Sequence, residues 1–392
     1  MKRLIPIALV GCSFQSAAAP GQDARVTPPD PDAQVTPMID ARVTPTIDAQ
    51  ACFGHGLVKV CFTALPSDPI TLAASTLDTT IDTNCTLVVP AAGAAPQLCV
   101  VAGPTVTVTG AVLAIGPRPL VVIGLDTVTI ESGGSIDASS VRGARKGAGA
   151  GTGGCGTMTA AEDDDGGGGG GGGGGFGTKG GRGGRGDRNQ TTRGDGSAVG
   201  GGAGAVQTAT ALRGGCAGSK GGNGRAQNGG AGGDGGGGVY VIAGRLVTVA
   251  GNVLASGAGG TASPDGTGVE QGAGGGGSGG MIGLDAPTVD VAGRVVANGG
   301  GGGGGGGLNA GGSPGGDGTT LTWDQRATGG AQASDNNTTA VGSQGTAVGK
   351  VDNIDAGDAD GGAGGGAGGL GYIRIDGALT GGTMISPAPD KH

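Results

Sequence analysis

Two stretches of the chain share one pattern of alternating apolar and polar residues. They cover residues 238–257 and 280–299, and equivalent positions lie 42 residues apart. The matched valines are Val247, Val249 and Val253 in the first stretch and Val289, Val291 and Val295 in the second. Alternation with a period of two is typical of β-strands that bury one face. Each stretch therefore predicts a pair of short strands joined at a glycine-containing corner.

Weaker copies of the same pattern occur at residues 105–115, 120–139 and 371–379. A single pair of short strands is not stable in water, so each copy has to stack on the next. The repeats predict an all-β protein with a parallel, solenoid-like β-helix over residues 104–386 and a tail at 387–392. A β-sandwich with glycine-rich loops is the alternative, and strands paired as hairpins would favour it.

Long glycine-rich insertions separate the repeats, at about residues 142–237, 258–279 and 300–369. The chain has 101 glycines among 392 residues but one tryptophan, two tyrosines and four phenylalanines. Glycine has no side chain to bury and loses much backbone freedom on folding, so we expect mobile loops that leave from the corners. The sequence leaves open whether these insertions order as packed extended strands.

The first residues predict a lipoprotein signal peptide at 1–11. Lys2 and Arg3 precede an apolar run, which ends in Leu9-Val10-Gly11-Cys12. This motif resembles the lipobox of bacterial lipoproteins. The resemblance implies cleavage between Gly11 and Cys12 and a diacylglyceryl group on the Cys12 thiol, which would anchor the chain to a membrane. The alternative is a cytoplasmic protein in which Cys12 is an ordinary buried thiol.

Residues 12–51 predict a spacer. A repeated Asp-Ala-Arg/Gln-Val-Thr-Pro unit ends at Pro28, Pro37 and Pro45. Proline forbids a regular helix and biases the preceding residue towards extended conformations. The segment should act as a semi-stiff tether between the anchor and the folded part.

The other six cysteines indicate disulfides in an oxidising compartment. Proximity in the sequence suggests the pairs Cys52–Cys61, Cys85–Cys99 and Cys155–Cys216, although fifteen connectivities are possible. Four of these cysteines fall within residues 52–103, which we interpret as an N-terminal cap. A zinc site is the rival interpretation, but the chain has no Cys-x-x-Cys spacing and only two histidines, His55 and His392. We therefore expect neither a metal site nor a cofactor.

Together these features resemble glycine-rich lipoproteins of the myxobacterial type, and the repeats resemble those of β-helical surface adhesins. The resemblance implies a lipid-anchored location in the cell envelope, at the outer membrane or the cell surface. It implies a structural or adhesive role and brings no catalytic residue with it. We accordingly expect a protein that is not an enzyme.

The alternative function is a carbohydrate-active β-helix enzyme, a polysaccharide lyase or hydrolase. Such enzymes use carboxylates and arginines along one face of the fold. Asp126, Asp285 and Asp290 lie in or beside the predicted strands. We interpret them as solvated carboxylates on strand faces and expect no catalytic residues. Clustered carboxylates with an arginine on one exposed face would favour the enzyme.

The expected partners are the membrane, through lipid on Cys12, and extracellular polysaccharide or other surface proteins. The net charge is −8, with lysine and arginine scattered rather than clustered. An acidic chain almost without aromatic residues lacks the charge and the stacking surfaces that nucleic acid requires, so we expect no nucleic-acid partner. The tripeptide Arg185-Gly186-Asp187 has the integrin-type sequence, but in a segment built of these residues it needs no function.

Overall fold

The computed structural model describes residues 51–151, 153–187, 198–224, 228–263, 270–320, 322–334, 340–351, 354–359 and 361–392. The predicted signal peptide, Cys12 and nearly all of the tether lie outside them. The described part is all-β, with a single short 3-10 helix at Asp82–Asn84. It belongs to one compact unit, Ala49–His392. No helix in these ranges has the length and apolar character needed to cross a membrane.

A two-stranded antiparallel hairpin and a large sheet contain most of the strands. The hairpin consists of β1 (Ala51–Phe53) and β2 (Val60–Phe62). The nine strands of the large sheet are β3 (Ile70–Leu72), β5 (Leu87–Val89), β6 (Leu98–Val108), β8 (Leu120–Ile130), β10 (Gly238–Ala243), β11 (Leu246–Val249), β13 (Met281–Val291), β15 (Tyr372–Gly381) and β17 (Asp390–Lys391). Its pairs are parallel except β5 with β6.

A second, six-stranded sheet is parallel throughout. Its strands are β4 (Ser75–Asp78), β7 (Ala111–Ile115), β9 (Ser135–Asp137), β12 (Asn252–Leu254), β14 (Arg294–Val296) and β16 (Met384–Ser386). Along the chain, one or two strands of the large sheet are followed in turn by a strand of this small sheet. Neighbouring strands within each sheet therefore come from successive repeats.

The strand register confirms the alignment of the repeats. Val247 pairs with Val289, and Val249 with Val291, on the parallel strands β11 and β13. In the small sheet, Val253 pairs with Val295 in the same way. The valines are fully buried because they share the side of each strand that faces the other sheet's apolar residues. The predicted parallel stacking of the repeats is therefore present.

The outer face of the large sheet carries a second apolar core. In the first half of the long strands both faces are buried, as in β13, where residues 281–286 are all buried. Val58, Val60 and Phe62 of the hairpin cover part of this outer face. Phe176 and Leu212, which come from a glycine-rich insertion, also belong to this second core. The hairpin is thus fastened across the sheet, and its loop lies beside the middle of β10, β13 and β15.

The glycine-rich insertions form an ordered body. We call the described glycine segments within residues 162–237, 255–280 and 297–371 the glycine array. Most of their glycines are buried, and their backbone N–H groups bond to carbonyls of other segments. The segment 270–280 shows the rule. Its backbone N–H groups bond to three partner segments in rotation, so that every third residue donates to the same segment. Gly272, Gly275 and Ser278 donate to residues 216–222, and Ala273, Gly276 and Gly279 donate to residues 363–369. Gly274, Gly277 and Gly280 donate to residues 255–261.

The carbonyls of the same segment accept bonds from three further segments, 168–174, 230–236 and 300–306. A period of three residues per turn without internal bonds is the geometry of the polyproline II helix. Each such helix in the array is bonded sideways to its neighbours, which satisfies the buried backbone groups that glycine cannot shield. The expectation of mobile loops is therefore wrong for the described insertions, and the packed extended alternative is correct.

Glycine is required in the array because the segments approach one another closely. A Cβ atom on Gly274 would lie 1.9 Å from the carbonyl oxygen of Ala231, and one on Gly275 would lie 2.1 Å from that of Gly172. Both distances are far below any real Cβ contact. The glycine content that led us to expect mobile loops is thus what allows these segments to pack.

Three disulfides join Cys52 to Cys61, Cys85 to Cys99 and Cys155 to Cys216, the pairs that proximity suggested. The first closes the hairpin, and the second links the end of the 3-10 helix to β6. The third lies beside Arg213, whose guanidinium donates to both sulfur atoms at 3.2 Å and stands 5.0 Å from the Phe176 ring centroid. Burial lowers the pKa of Arg213.

Candidate functional site

A cluster of ionisable side chains lies where the hairpin crosses the outer face of the large sheet. We call it the carboxylate cluster: His55, Tyr240, Asp285, Arg374 and Asp376. Strand alternation places it there. Ile282 and Leu284 of β13 face the inner core, so Asp285 faces outwards, and Ile373 and Ile375 force the same arrangement on β15. Asp285 and Asp376 are register partners on these adjacent strands.

Asp285 holds the loop of the hairpin. Its side chain is 1% exposed. One carboxylate oxygen accepts the backbone N–H groups of His55 at 2.6 Å and Gly56 at 3.0 Å, and the other lies 3.1 Å from Nδ1 of His55. The imidazole itself is largely in solvent, with 77% of the side chain exposed. The buried carboxylate is therefore compensated mainly by donors from the hairpin backbone.

The negative charge of Asp376 is compensated by donors from the large sheet itself. Its carboxylate accepts the Tyr240 hydroxyl at 2.8 Å and two N–H groups of Arg374, from Nε and Nη2. Burial opposes ionisation, but these hydrogen bonds and the charge of Arg374 outweigh it and lower the pKa of Asp376. Burial and then the neighbouring Asp376 raise the pKa of Tyr240. The hydrogen bond to Asp376 raises the pKa of Arg374.

Two glycines allow these groups to meet. The Tyr240 ring lies across Gly283 on the adjacent strand, where a Cβ would come within 2.1 Å of the ring carbons. A Cβ on Gly56 would lie 2.1 Å from an Asp376 oxygen and 2.3 Å from the Tyr240 hydroxyl. The hairpin can therefore sit on the cluster only with glycine at position 56, and Tyr240 can reach Asp376 only with glycine at position 283.

The arrangement holds three groups of the cluster in one protonation state at neutral pH. Asp376 stays ionised, and Tyr240 and Arg374 stay protonated, because each shift moves the pKa further from neutrality. A general acid or base needs a pKa near the working pH. The cavity beside the cluster, about 290 Å³, is lined by His55, Asp285, Ala286, Pro287, Asp376, Gly377 and His392. Chemically, the cluster is suited to fastening the hairpin.

The three carboxylates singled out from the sequence are not brought together. Asp126 forms a bidentate, exposed ion pair with Arg245, at 2.8 and 2.9 Å. Asp290 accepts the hydroxyl of Thr380 at 2.9 Å. The interpretation as solvated carboxylates is confirmed for Asp126, whose side chain is 53% exposed, and is wrong for the buried Asp285.

Sequence reasoning missed Tyr240, Arg374 and Asp376 as members of a site. A signal was present in the last repeat. Aligning residues 371–376 with 280–285 places Asp376 opposite Asp285, as the strand register does. Two carboxylates in adjacent copies, with an arginine two residues before one of them, predict a compensated pair on one face.

The structure also places the disulfide cysteines and the Arg-Gly-Asp tripeptide at 185–187 that the sequence singled out. All six cysteines from Cys52 onwards are in disulfides, and no group of three or more potential metal ligands occurs within the described ranges. In the tripeptide at 185–187, Arg185 is exposed but Asp187 is 2% exposed, so the two side chains are not presented together. Gly11 and Cys12 lie outside the described residues.

No protein-family model, curated protein or solved structure matches this chain.

Proposed function

We propose that this protein is a lipid-anchored, non-enzymatic protein of the cell envelope, held at the outer membrane or the cell surface, with a structural or adhesive role. The observation that carries the proposal is the set of hydrogen bonds formed by the carboxylate cluster. Its charged groups are engaged with one another and with the hairpin backbone, so they fasten the fold. Charged groups that stabilise the fold in this way are what we expect of a structural protein.

Location outside the cytoplasm is supported by two features. Three disulfides suit an oxidising compartment, because the cytosol keeps thiols reduced. The motif Leu9-Val10-Gly11-Cys12 and the proline-containing spacer after it suit an anchor and a tether. Acyl chains on Cys12 would hold the protein at the membrane, since each buried methylene contributes about 0.8 kcal/mol.

We further propose that the two parallel sheets are opposite walls of a β-helix. The support is the alternation of the chain between the large and the small sheet, with apolar side chains of both sheets in one core. Each repeat would then be one coil. The glycine array would be a rigid extension built from the insertions that leave the coils.

The anchor is tested by metabolic labelling with radioactive fatty acid and membrane fractionation. We expect label in the native chain, loss of label in Cys12→Ala and unchanged labelling in the matched control Ser13→Ala. Surface protease shaving of intact cells then distinguishes display at the surface from an inward-facing anchor. Label retained by Cys12→Ala would contradict the proposal.

One observation favours the alternative, a carbohydrate-active enzyme. Asp285 and Asp376 are neighbours on adjacent strands with Arg374 beside them, which is a grouping of the kind that such enzymes use. The test is incubation with neutral and acidic polysaccharides, with new reducing ends or unsaturated products as the readout. Product that forms with the native chain and disappears with Asp376→Asn would establish the enzyme and exclude the scaffold as the sole function.

A further inference from the structure

A row of cations stands on an outer segment of the glycine array. Lys179, Arg182 and Arg185 occur at every third position and are exposed, whereas Gly180, Gly181 and Gly184 between them are buried. In a helix with three residues per turn, every third side chain points the same way. At 3.1 Å per residue, successive cations are about 9 Å apart along the segment. We call this row the cationic ridge.

The cations of the ridge have no acidic partner among the described residues. The ion pairs there that involve lysine or arginine use other residues: Arg118, Arg145, Lys146, Arg245 and Arg374. Three adjacent unpaired cations are unexpected in a chain with a net charge of −8. Such a row attracts anions, and the attraction weakens as salt is added.

A second row runs beside the ridge. Asp355 and Asp358 are also exposed and three residues apart. Each has an oxygen that accepts a backbone N–H of the ridge segment, Asp355 from Arg182 at 2.7 Å and Asp358 from Arg185 at 2.8 Å. These bonds fix the two carboxylates in place beside the backbone of the ridge segment. The protein thus presents parallel rows of cations and hydrogen-bond acceptors.

The two rows line an open groove of about 530 Å³. The residues that complete it are Thr159 and Val199, with backbone of the segment 200–203. Val199 is 40% exposed. The groove therefore combines a cationic side, an acceptor side and a small apolar wall, and it follows the direction of an extended chain.

We propose that this groove binds a linear acidic polysaccharide. Carboxylate or sulfate groups of the sugar chain would bind Lys179, Arg182 and Arg185, while sugar hydroxyls would donate to Asp355 and Asp358. The regular spacing of the ridge suits a polymer whose anionic groups also recur regularly along an extended chain. This proposal rests on the proposed function, because acidic polysaccharides of this kind occur outside the cell.

Nucleic acid fits the same groove poorly. Along the axis of a DNA duplex each strand carries one phosphate per about 3.4 Å, a denser row of charges than the cations of the ridge. DNA also lacks the free sugar hydroxyls that could donate to Asp355 and Asp358. The lining includes no aromatic residue on which a base could stack. Hydroxyl groups and spaced anions together are the chemistry of an acidic sugar polymer.

The test measures binding of the full mature chain, in detergent, to defined polymers. The probes are polygalacturonate for carboxylates, dextran sulfate for sulfates and unmodified dextran as the neutral polymer, with single-stranded DNA and polyglutamate as other polyanions. We expect binding to polygalacturonate, dextran sulfate or both, none to dextran, and a loss of affinity with added salt. The arm that binds more tightly identifies the anionic group.

The variant Lys179→Gln/Arg182→Gln/Arg185→Gln should lower affinity about tenfold, since each exposed ion pair contributes little alone. The matched control Lys59→Gln/Lys220→Gln/Lys391→Gln removes the same charge from other exposed lysines and should bind as the native chain does. Both variants change exposed side chains, so their melting temperatures should stay native.

Three results would overturn the site. They are no binding of either acidic polysaccharide by the native chain, equal losses in the ridge variant and the control, and equally tight binding of DNA or polyglutamate. Failure of the proposed function has a different signature. If fatty-acid label persists in Cys12→Ala while the ridge variant still loses polysaccharide binding, the anchor is wrong and the binding site stands.

Discussion

Asp285 and Asp376 are direct register partners on neighbouring parallel strands, but their carboxylates bind different parts of the molecule. Asp285 accepts backbone N–H groups of the hairpin loop, and Asp376 accepts the Tyr240 hydroxyl and the Arg374 guanidinium. Two carboxylates that share a site usually disfavour ionisation of one another. Here each has its own donors: Asp285 joins the hairpin to the sheet, and Asp376 joins β10 to β15.

Asp285→Ala should loosen the hairpin. The change removes the acceptor of two backbone N–H groups and should destabilise the fold by about 3 kcal/mol, as expected for charge-assisted bonds. Hydrogen exchange should accelerate at the amides of residues 54–57. Asp290→Ala is the matched control, because Asp290 lies on the same strand but accepts one hydroxyl. Equal exchange in both variants would show that Asp285 does not hold the loop.

Asp376 should make stability depend on acid pH. Its pKa is lowered in the folded protein, so its contribution is complete above the unfolded value of about 3.9 and is lost as pH falls through the folded value. Asp376→Asn should therefore lower the melting temperature by a constant amount above about pH 5. The difference between native and variant should shrink below about pH 4. A difference that does not change with pH would exclude an ionic role.

The inward valines should tolerate no charge. Val249→Asp places an unpaired carboxylate in the shared core of the sheets and should cost about 4 kcal/mol. Thr248→Asp is the control, because Thr248 is half-buried on the other face. Its register partner is Asp290, whose like charge costs at most about 1 kcal/mol. Thermal melts compare the two, and equal losses would contradict the strand register.

The strands could be predicted because side-chain burial leaves a trace in the sequence. The alternation around Val249 and Val291 directly reports which face is buried, and matching two repeats is enough to give the parallel register. The disulfide pairs followed from proximity. The corner residues were similarly visible as glycine, as in the shared Ala-Gly steps at 250–251 and 292–293.

The glycine array could not be predicted because its bonds join backbone to backbone between distant segments. Nothing in a run such as 166–175 states which segments will surround it. The period of three becomes visible only where a side chain reaches solvent, as at Lys179, Arg182 and Arg185. The carboxylate cluster was missed for a related reason: Tyr240, Asp285 and Asp376 lie far apart in the chain and meet only through the register.

Close packing of the array should make its inner glycines irreplaceable. Gly274→Ala would place a Cβ 1.9 Å from the Ala231 carbonyl oxygen, and the surrounding backbone cannot move without breaking its own bonds. We expect destabilisation of about 2 kcal/mol, typical of overpacking.

Gly357→Ala is the matched control in the same array, because its Cβ would meet nothing closer than 4.0 Å. That variant should be neutral or more stable by about 0.5 kcal/mol, since alanine restricts the unfolded chain. Thermal melts and limited proteolysis of the array give the comparison. Equal behaviour of the two variants would mean that the segments are not packed against one another in solution.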